Sequence, residues 1–218
     1  MDQETNPTAE VNPSAASIEA FTRRPDANAF IMVNLLKFNP DGGREAYARY
    51  GAVASGTVKA RGGSIAYSAP VIGNENWDQA TLVRYPRRAA YLDMQSDPAY
   101  VGAIPDRTSG LAARLLYPFH DAAGDPDDRF RIERFGGDEV FVVRLSQRSS
   151  GDAVAANDDA RGAGELVLRL YGDMPMVSDD RWDELTVTRY PSLDAAEIAG
   201  ASGEQSSPSI HLVTKPTP

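Results

Sequence analysis

The feature that most constrains the fold of this chain is a ten-residue segment that occurs twice. Trp77–Pro86 reads WDQATLVRYP and Trp182–Pro191 reads WDELTVTRYP, so six of the ten positions are identical. The copies are 105 residues apart in a chain of 218 residues, and they contain both of its tryptophans. The spacing is close to half the chain length. The sequence is therefore interpreted as two tandem copies of one module.

The composition excludes several classes of function. The formal net charge is −9, whereas a nucleic-acid-binding domain normally presents a basic face. The chain has no cysteine, which excludes disulfides, thiolate catalysis and Cys-ligated metals. We therefore expect neither a nucleic-acid partner nor a thiol-based site.

The sequence also gives no sign of a membrane or secretory protein. It has no run of about 18 apolar residues, the length that a membrane-spanning helix requires. The first residues, from Met1 to Asn6, are polar and acidic, unlike the basic and then apolar start of a signal peptide. These features predict a cytoplasmic protein without a membrane partner.

Hydrophobic patterns and turn residues predict the same order of elements in each copy. The first copy begins with a short helix near 14–24, after which the order is β-α-β-β-α-β, a ferredoxin-like unit. Its strands are expected at 29–38, 64–72, 77–85 and 114–119, and its two helices at 44–59 and from Pro86 onward. The second copy repeats this order with a shorter first helix near 152–161, strands at 139–145, 165–173, 182–190 and 209–213, and a reduced helix at 193–199.

These elements predict an α+β fold with a defined domain organisation. We expect a disordered N-terminus at 1–14, a first unit at 15–119, an acidic linker at 120–137 and a degenerate second unit at 138–218. Two ferredoxin-like units in one chain can pack sheet against sheet and form an intramolecular dimeric α+β barrel with the helices outside. Because each unit then already has its partner, a monomer is predicted.

Strand alternation divides the side chains between two faces of each sheet. Ala80 and Leu82, with their counterparts Leu185 and Val187, form an aliphatic face that we expect under the helices, as for Ile31, Val33 and Leu35. The opposite face mixes aromatic and polar groups, as ligand pockets do, and is expected to line a cavity between the sheets. Its candidate residues are Asn34, Tyr67, Trp77, Gln79, Thr81 and Tyr85 in the first copy, and Arg144, Trp182, Glu184, Thr186 and Thr188 in the second.

Two interpretations of this mixed face remain open at this point. Trp, Tyr and Thr are also good sheet residues, so the interior between the sheets can be packed, with Asn34, Arg144 and Glu184 serving contacts between the sheets. Alternatively, the interior holds a cavity that binds a small hydrophobic or aromatic molecule.

Several segments of the first copy resemble a known family. They are VNLLKF at 33–38, GREAYARY at 43–50, WD followed by VRYP at 77–86, SDPAY at 96–100, and Arg107 with Gly110-Leu111. This combination resembles an uncharacterised family of small bacterial proteins, a domain of unknown function in the dimeric α+β-barrel superfamily, over residues 16–119. The second half keeps WDxxTxxRYP but lacks counterparts of Asn34 and of the last two segments. The resemblance implies that the second copy replaces a partner subunit and that any ligand site lies mainly in the first half.

Familiar cofactor and metal motifs are missing from the sequence. There is no GxGxxG, Walker loop, GxSxG or HExxH. The two histidines, His120 and His211, are too few for a typical His-rich metal site. We therefore predict no metal and no cofactor. Haem binding through His211 is a further alternative, which a Soret band on reconstitution would reveal.

The superfamily resemblance implies a cofactor-independent cyclase, isomerase or monooxygenase acting on an aromatic or polyketide-like substrate. In this prediction Glu184 is a general base, and Asn34 or Arg144 holds an enolate or phenolate oxygen. The expected stacking residues are Trp77, Trp182, Tyr67 and Tyr85, with Gln79, Thr81, Thr186 and Thr188 as further substrate contacts. The alternative is a non-enzymatic ligand-binding, structural or accessory pseudo-dimer.

Overall fold

The computed structural model describes residues 11–26, 28–74, 76–121, 137–147, 164–201 and 208–216. The predicted helix at 152–161 and most of the predicted linker lie outside these residues. None of the helices in the described part of the chain is long and apolar enough to cross a membrane.

The first half contains four strands and four helices among the described residues. The helices are α1 (Ala15–Thr22), α2 (Gly43–Ala60), α3 (Arg88–Gln95) and α4 (Pro98–Gly110). The strands are β1 (Phe30–Phe38), β2 (Ser64–Ile72), β3 (Gln79–Tyr85) and β4 (Leu111–His120). Apart from α4, each of these elements was predicted from the sequence.

The described part of the second half follows the same plan. It contains β5 (Val140–Ser146), β6 (Glu165–Gly172), β7 (Glu184–Tyr190), α5 (Leu193–Ala201) and β8 (Ser209–Thr214). The strand order is β2-β3-β1-β4 in the first half and β6-β7-β5-β8 in the second. Each half thus places its strands in the same ferredoxin-like order.

The two sheets join edge to edge and form one closed barrel. The order around it is β1-β3-β2-β8-β5-β7-β6-β4. One seam pairs Val71 and Ile72 of β2 with β8, and the other pairs Phe119 and His120 of β4 with β6. The α+β fold of two units that form one intramolecular barrel is therefore confirmed.

The inside of the barrel is a packed apolar core, so the predicted faces are reversed. The aliphatic positions that were expected under the helices point inward and form a single cluster. Most of its members are less than 5% exposed, among them Ile31, Val33, Leu35, Ala80, Leu82, Val143, Leu185 and Val187. The polar positions of the mixed face, such as Gln79 and Thr81, therefore point outward.

The geometry of the closed barrel explains this reversal. An eight-stranded barrel is just wide enough for side chains to fill it, and a polar group inside is costly unless it finds a hydrogen-bond partner there. The outer face of the first sheet instead meets helices, whose polar side chains can supply hydrogen bonds. Closure therefore places the aliphatic face of each strand inside.

Helix α4 is the one element of the described first half that the sequence patterns did not predict. Asp97 caps its N-terminus by accepting hydrogen bonds from the backbone N–H groups of Ala99 and Tyr100, and Pro98 occupies the first turn. This is the combination expected at a helix start. Pro105 lies inside the helix, and a proline at that position argues against a helix when only the sequence is known.

The N-terminal segment is packed from residue 11 onward, within the stretch predicted to be disordered. Val11 is 9% exposed and lies in a cluster with Leu36, Phe38 and Leu111. The Asn12 side chain also accepts two hydrogen bonds from Arg107, at 2.7 and 3.0 Å. These contacts hold residues 11 and 12 against the first half.

Asp78 connects the entry of β3 to the end of β1, and its removal should destabilise the barrel. The Asp78 carboxylate accepts a hydrogen bond from Phe38 N at 2.7 Å and one from Lys37 Nζ at 3.1 Å. Hydrogen bonds to charged groups contribute about 1.5–3 kcal/mol. Asp78→Ala should lower the free energy of unfolding by this amount in urea titrations. The control, Asp41→Ala at an exposed turn position, should change it by less than about 0.5 kcal/mol; equal effects would contradict the role of Asp78.

Candidate functional site

A cavity of about 220 Å³ lies between the outer face of the first sheet and helices α2, α3 and α4. This volume is below the range of roughly 300–1,000 Å³ for drug-sized ligands, so it suits a molecule of one or two rings. The wall combines five tyrosines with aliphatic, hydroxyl and amide side chains and one arginine. Its polar and aromatic members include Asn34, Tyr47, Tyr50, Ser68, Gln79, Thr81, Tyr85, Tyr91, Tyr100 and Arg114. Gly51 of α2 also lines the cavity.

Arg114 places a buried positive charge in the cavity wall. It extends from β4 and is 4% exposed. Its guanidinium donates to Asn34 Oδ1 at 2.6 Å and to the Val11 carbonyl at 3.3 Å. Both partners are neutral, and the buried Arg114 Nε has no hydrogen-bond partner among the described residues. A buried cation without a carboxylate partner favours an anionic or acidic occupant nearby.

A second buried arginine organises the phenols at one end of the cavity. Arg107, on α4, is 2% exposed. Its Nη1 donates to Tyr100 OH at 2.6 Å and to Tyr50 OH at 3.3 Å. The guanidinium also lies 5.2 Å from the Tyr50 ring centroid and 5.6 Å from that of Tyr100, within the range of cation–π attraction. Among the described residues its partners are the two phenol hydroxyls and the Asn12 amide oxygen, and none of them is a carboxylate.

A short row of polar side chains from β2 and β3 forms another part of the wall. Gln79 Nε2 donates to Ser68 Oγ at 2.9 Å and to Thr81 Oγ1 at 3.2 Å. The Ser68 and Thr81 hydroxyls are also hydrogen-bonded to each other at 2.9 Å. These three groups therefore satisfy one another's hydrogen bonds without a ligand.

The five cavity phenols divide into two electrostatic groups. Burial raises the pKa of four of them above the usual value for tyrosine, namely Tyr47, Tyr50, Tyr85 and Tyr91. Burial also raises the pKa of Tyr100, but the positive charges of Arg107 and Arg114 and the hydrogen bonds from Tyr50 and Gln95 outweigh it. The Tyr100 pKa is therefore lowered. Tyr100 is the member of the set whose surroundings favour the ionised form.

The structure brings four of the predicted site residues together in this cavity. Asn34, Gln79, Thr81 and Tyr85 all line it. They were predicted to face a space between the sheets, and that location is wrong. They face the helices because the barrel interior takes the aliphatic side chains.

Three predicted aromatic contacts point into the barrel, where they are part of the packed core. Tyr67, Trp77 and Trp182 are each at most 4% exposed and belong to the interior cluster. A β-bulge between Ile65 and Tyr67 shifts the register of β2. The Tyr67 hydroxyl is hydrogen-bonded to Thr214 Oγ1 at 2.5 Å, which satisfies this phenol inside the barrel.

The second-half candidates lie on the opposite side of the barrel from the cavity. Arg144 is on β5, whereas Asn34 is on β1, and these strands are four positions apart in the ring of eight. Glu184, Thr186 and Thr188 are on β7, next to β5, and Glu184 lies 3.7 Å from Arg169. Because their inward neighbours Val143, Leu185 and Val187 fill the core, these four side chains point outward. The predicted grouping of Glu184 and Arg144 with Asn34 in one inter-sheet site is therefore wrong.

His211, the residue that could have ligated haem, also belongs to this second-half face. It pairs with Arg144 across β8 and β5. Burial and the positive charge of Arg144 lower the pKa of the His211 imidazole. His120 lies elsewhere, with its Nε2 3.3 Å from Asp173 Oδ2.

Sequence reasoning did not assign Tyr100, Arg107 and Arg114 to the site, although Tyr100 and Arg107 lie in the segments that carry the family resemblance. The first two lie on α4, the helix that was not predicted. The signals were present, since Asp97-Pro98 is a helix start and Tyr100, Ala103 and Arg107 follow at helical spacing. Arg114 was predicted on a strand, but the sequence patterns did not show that its side chain points outward into a cavity.

Comparison with known proteins supports the fold. No protein-family model matches this chain, and no curated protein matches it. A chlorite dismutase from Candidatus Nitrospira defluvii is 12% identical, with 91% of this chain and 94% of that chain covered and a TM-score of 0.51. A protein of unknown function from Rhodopseudomonas palustris is 27% identical over 51% of this chain and 95% of its own, with a TM-score of 0.47. The likeness to chlorite dismutase is one of fold, and it spans both halves of the chain.

Proposed function

We propose that the cavity under α2, α3 and α4 binds a small acidic organic molecule with an aromatic or polyketide-like body. We further propose that the protein converts this molecule without a redox cofactor, as a cyclase, isomerase or monooxygenase does. The observation that carries the proposal is Arg114, a buried cation in the wall of an aromatic-lined cavity whose partners among the described residues are neutral.

The wall chemistry supports a ligand with two distinct ends. Tyrosine rings and Met32, Val83 and Met94 provide an apolar surface, and ring stacking adds to simple burial. Arg114 and the row of Ser68, Gln79 and Thr81 provide hydrogen bonds. A molecule with a flat apolar body and a carboxylate, enol or phenol oxygen complements both parts.

Placement of the site in this cavity changes the roles of the predicted residues. Asn34 remains a site residue, because its amide oxygen orients the Arg114 guanidinium through the 2.6 Å hydrogen bond. Glu184 and Arg144 do not line this cavity. Their roles as general base and oxyanion contact stay predictions and are not part of this proposal. Apart from Arg114, the titratable side chains in the cavity wall are phenols, so we assign proton transfer to one of them.

Naphthoate, an aromatic carboxylate of two rings, is the probe that tests the proposal. We expect the wild-type protein to bind naphthoate and Arg114→Gln to weaken binding by about 10- to 100-fold. This corresponds to the roughly 1.5–3 kcal/mol of a hydrogen bond to a charged group. Isothermal titration calorimetry measures both affinities, and naphthalene methanol, which lacks the charge, should be much less affected by the substitution.

The matched control is Arg49→Gln on the outer side of α2. The Arg49 side chain is 62% exposed and pairs with Asp106, so this variant should bind naphthoate like the wild type. Thermal unfolding of each variant monitors the fold. Equal naphthoate affinity in the wild type and Arg114→Gln would rule out Arg114 as the anion contact, and no binding to the wild type would overturn the proposed function.

A further inference from the structure

The Tyr100 hydroxyl receives hydrogen bonds from three donors. Arg107 Nη1 donates at 2.6 Å, Tyr50 OH at 3.1 Å and Gln95 Nε2 at 3.2 Å. Arg107 also donates to the Tyr50 hydroxyl, which leaves the Tyr50 proton directed at Tyr100. A neutral phenol oxygen has two lone pairs and its own proton to donate. Three donors around one oxygen suit a phenolate better than a phenol.

The position of Tyr100 is held by contacts at the start of its helix. Asp97 is the N-cap of α4 and accepts a hydrogen bond from the Tyr100 backbone N–H. The Asp97 carboxylate also forms a salt bridge with Arg61 at 3.0 Å. The Tyr100 side chain is 2% exposed and lines the cavity. Its oxygen is thus fixed, shielded from bulk water and adjacent to the space that a ligand would occupy.

We propose that Tyr100, as a phenolate, is the general base of this cavity and that Arg107 is the positioning residue that stabilises its charge. This inference rests on the proposed function and specifies it further. The substrate class that suits this base is a β-dicarbonyl or a related acid, because a phenolate is basic enough to remove a C–H proton that two adjacent carbonyl groups acidify.

The proposed step balances without an oxidant or reductant. The phenolate oxygen of Tyr100 takes the proton from the substrate carbon, and the electron pair of that C–H bond moves into an enolate. The enolate oxygen accepts a hydrogen bond from the cationic Arg114 guanidinium, as developing oxyanions require. Tyr100 then returns the proton to a different carbon or to the oxygen, and the net reaction is an isomerisation.

Tyrosine ionisation provides a test that needs no substrate. Phenolate absorbance during a pH titration should show one tyrosine that ionises below the usual pKa of about 10. Tyr100→Phe should remove this early step, and Arg107→Gln should move it to higher pH. Identical titrations of the wild type and Tyr100→Phe below pH ~10 would overturn the inference.

Benzoylacetone, an aryl β-diketone, provides the catalytic test. The wild type should accelerate its keto–enol interconversion, with a rate that rises with pH as Tyr100 ionises and then levels off. Tyr100→Phe should lower this rate by about 100-fold or more, the usual contribution of a general base. The control is Tyr171→Phe, since Tyr171 lies on β6, outside the cavity lining; equal rates in Tyr100→Phe and Tyr171→Phe would overturn the inference.

The two proposals fail in different ways. If naphthoate does not bind the wild type, the proposed function fails, whatever the tyrosine titration shows. If naphthoate binds and depends on Arg114 but no tyrosine ionises early, then the general-base role of Tyr100 fails and the proposed function stands.

Discussion

Replacing Gly51 with leucine should weaken naphthoate binding at least tenfold while raising the stability of the protein. Gly51 lies on α2 and lines the cavity, and a Cβ atom added to it would meet no atom within 4 Å. A leucine side chain therefore enters the cavity without a backbone clash and occupies the space of the ligand. Because leucine is a better helix former than glycine, the helix should gain about 0.5–1 kcal/mol. Calorimetry should show at least a tenfold loss of affinity, and urea unfolding should show no loss of stability.

Gly56 provides the matched control for this substitution. It also lies on α2 and would meet no atom within 4 Å of an added Cβ, but it is exposed and absent from the cavity wall. Gly56→Leu should give a similar gain in stability and leave naphthoate affinity unchanged. If Gly51→Leu binds naphthoate as tightly as Gly56→Leu does, the ligand does not occupy this cavity.

Removal of the Asp173 carboxylate should destabilise the protein more than removal of the Asp78 carboxylate. Asp173 follows β6 in the second half, and its side chain is 8% exposed. It accepts from Arg88 Nη2 at 2.6 Å and lies 3.3 Å from His120 Nε2, both in the first half. Asp173→Ala would leave the Arg88 charge buried without this partner, which costs about 3–5 kcal/mol. Chemical denaturation measures this loss; the control Arg181→Ala, at a side chain that is 80% exposed, should change stability by less than about 0.5 kcal/mol.

The same carboxylate should make stability depend on pH in the acid range. Burial raises the pKa of Asp173, but the hydrogen bonds and charges of His120 and Arg88 outweigh it, so that its pKa in the folded protein is lowered. Its stabilising contribution is therefore fully present above the unfolded pKa of about 3.9 and is lost as pH falls through the lower folded value. Asp173→Ala should lack this acid-dependent loss. An unchanged pH profile in the variant would contradict the ion pair as its source.

The fold was predictable from the sequence because its signals are local and repeated. The strand at 64–72 was predicted with the bounds of β2, and the helix at 44–59 differs from α2 by one residue at each end. Here the apolar period and the turn residues Asp41-Gly42-Gly43 and Gly62-Gly63 agree with each other. Helix α4 was missed because Pro105 breaks the local pattern, while tertiary packing against α2 stabilises the helix.

The candidate site was predictable only in part, because its residues come from distant elements. Asn34 was recognised as an unusual polar residue in an apolar strand, but its partner Arg114 is 80 residues away. Tyr50, on α2, meets Tyr100 and Arg107, both on α4, only because the two helices pack against each other. No spacing within either helix indicates that a phenol of one helix and a guanidinium of the other share a hydrogen bond.

The sequence by itself determined which side chains share a face of each strand, since that depends only on the alternation of the backbone. It determined in this way that Ala80 and Leu82 point together and that Gln79 and Thr81 point together. Only the tertiary structure decided which face is inside, because an aliphatic face and a mixed face can each be covered by a second layer. The decisive step was closure into an eight-stranded barrel. Its narrow interior is filled mainly by apolar side chains, and the polar residues of the first sheet meet the helices, where the cavity lies.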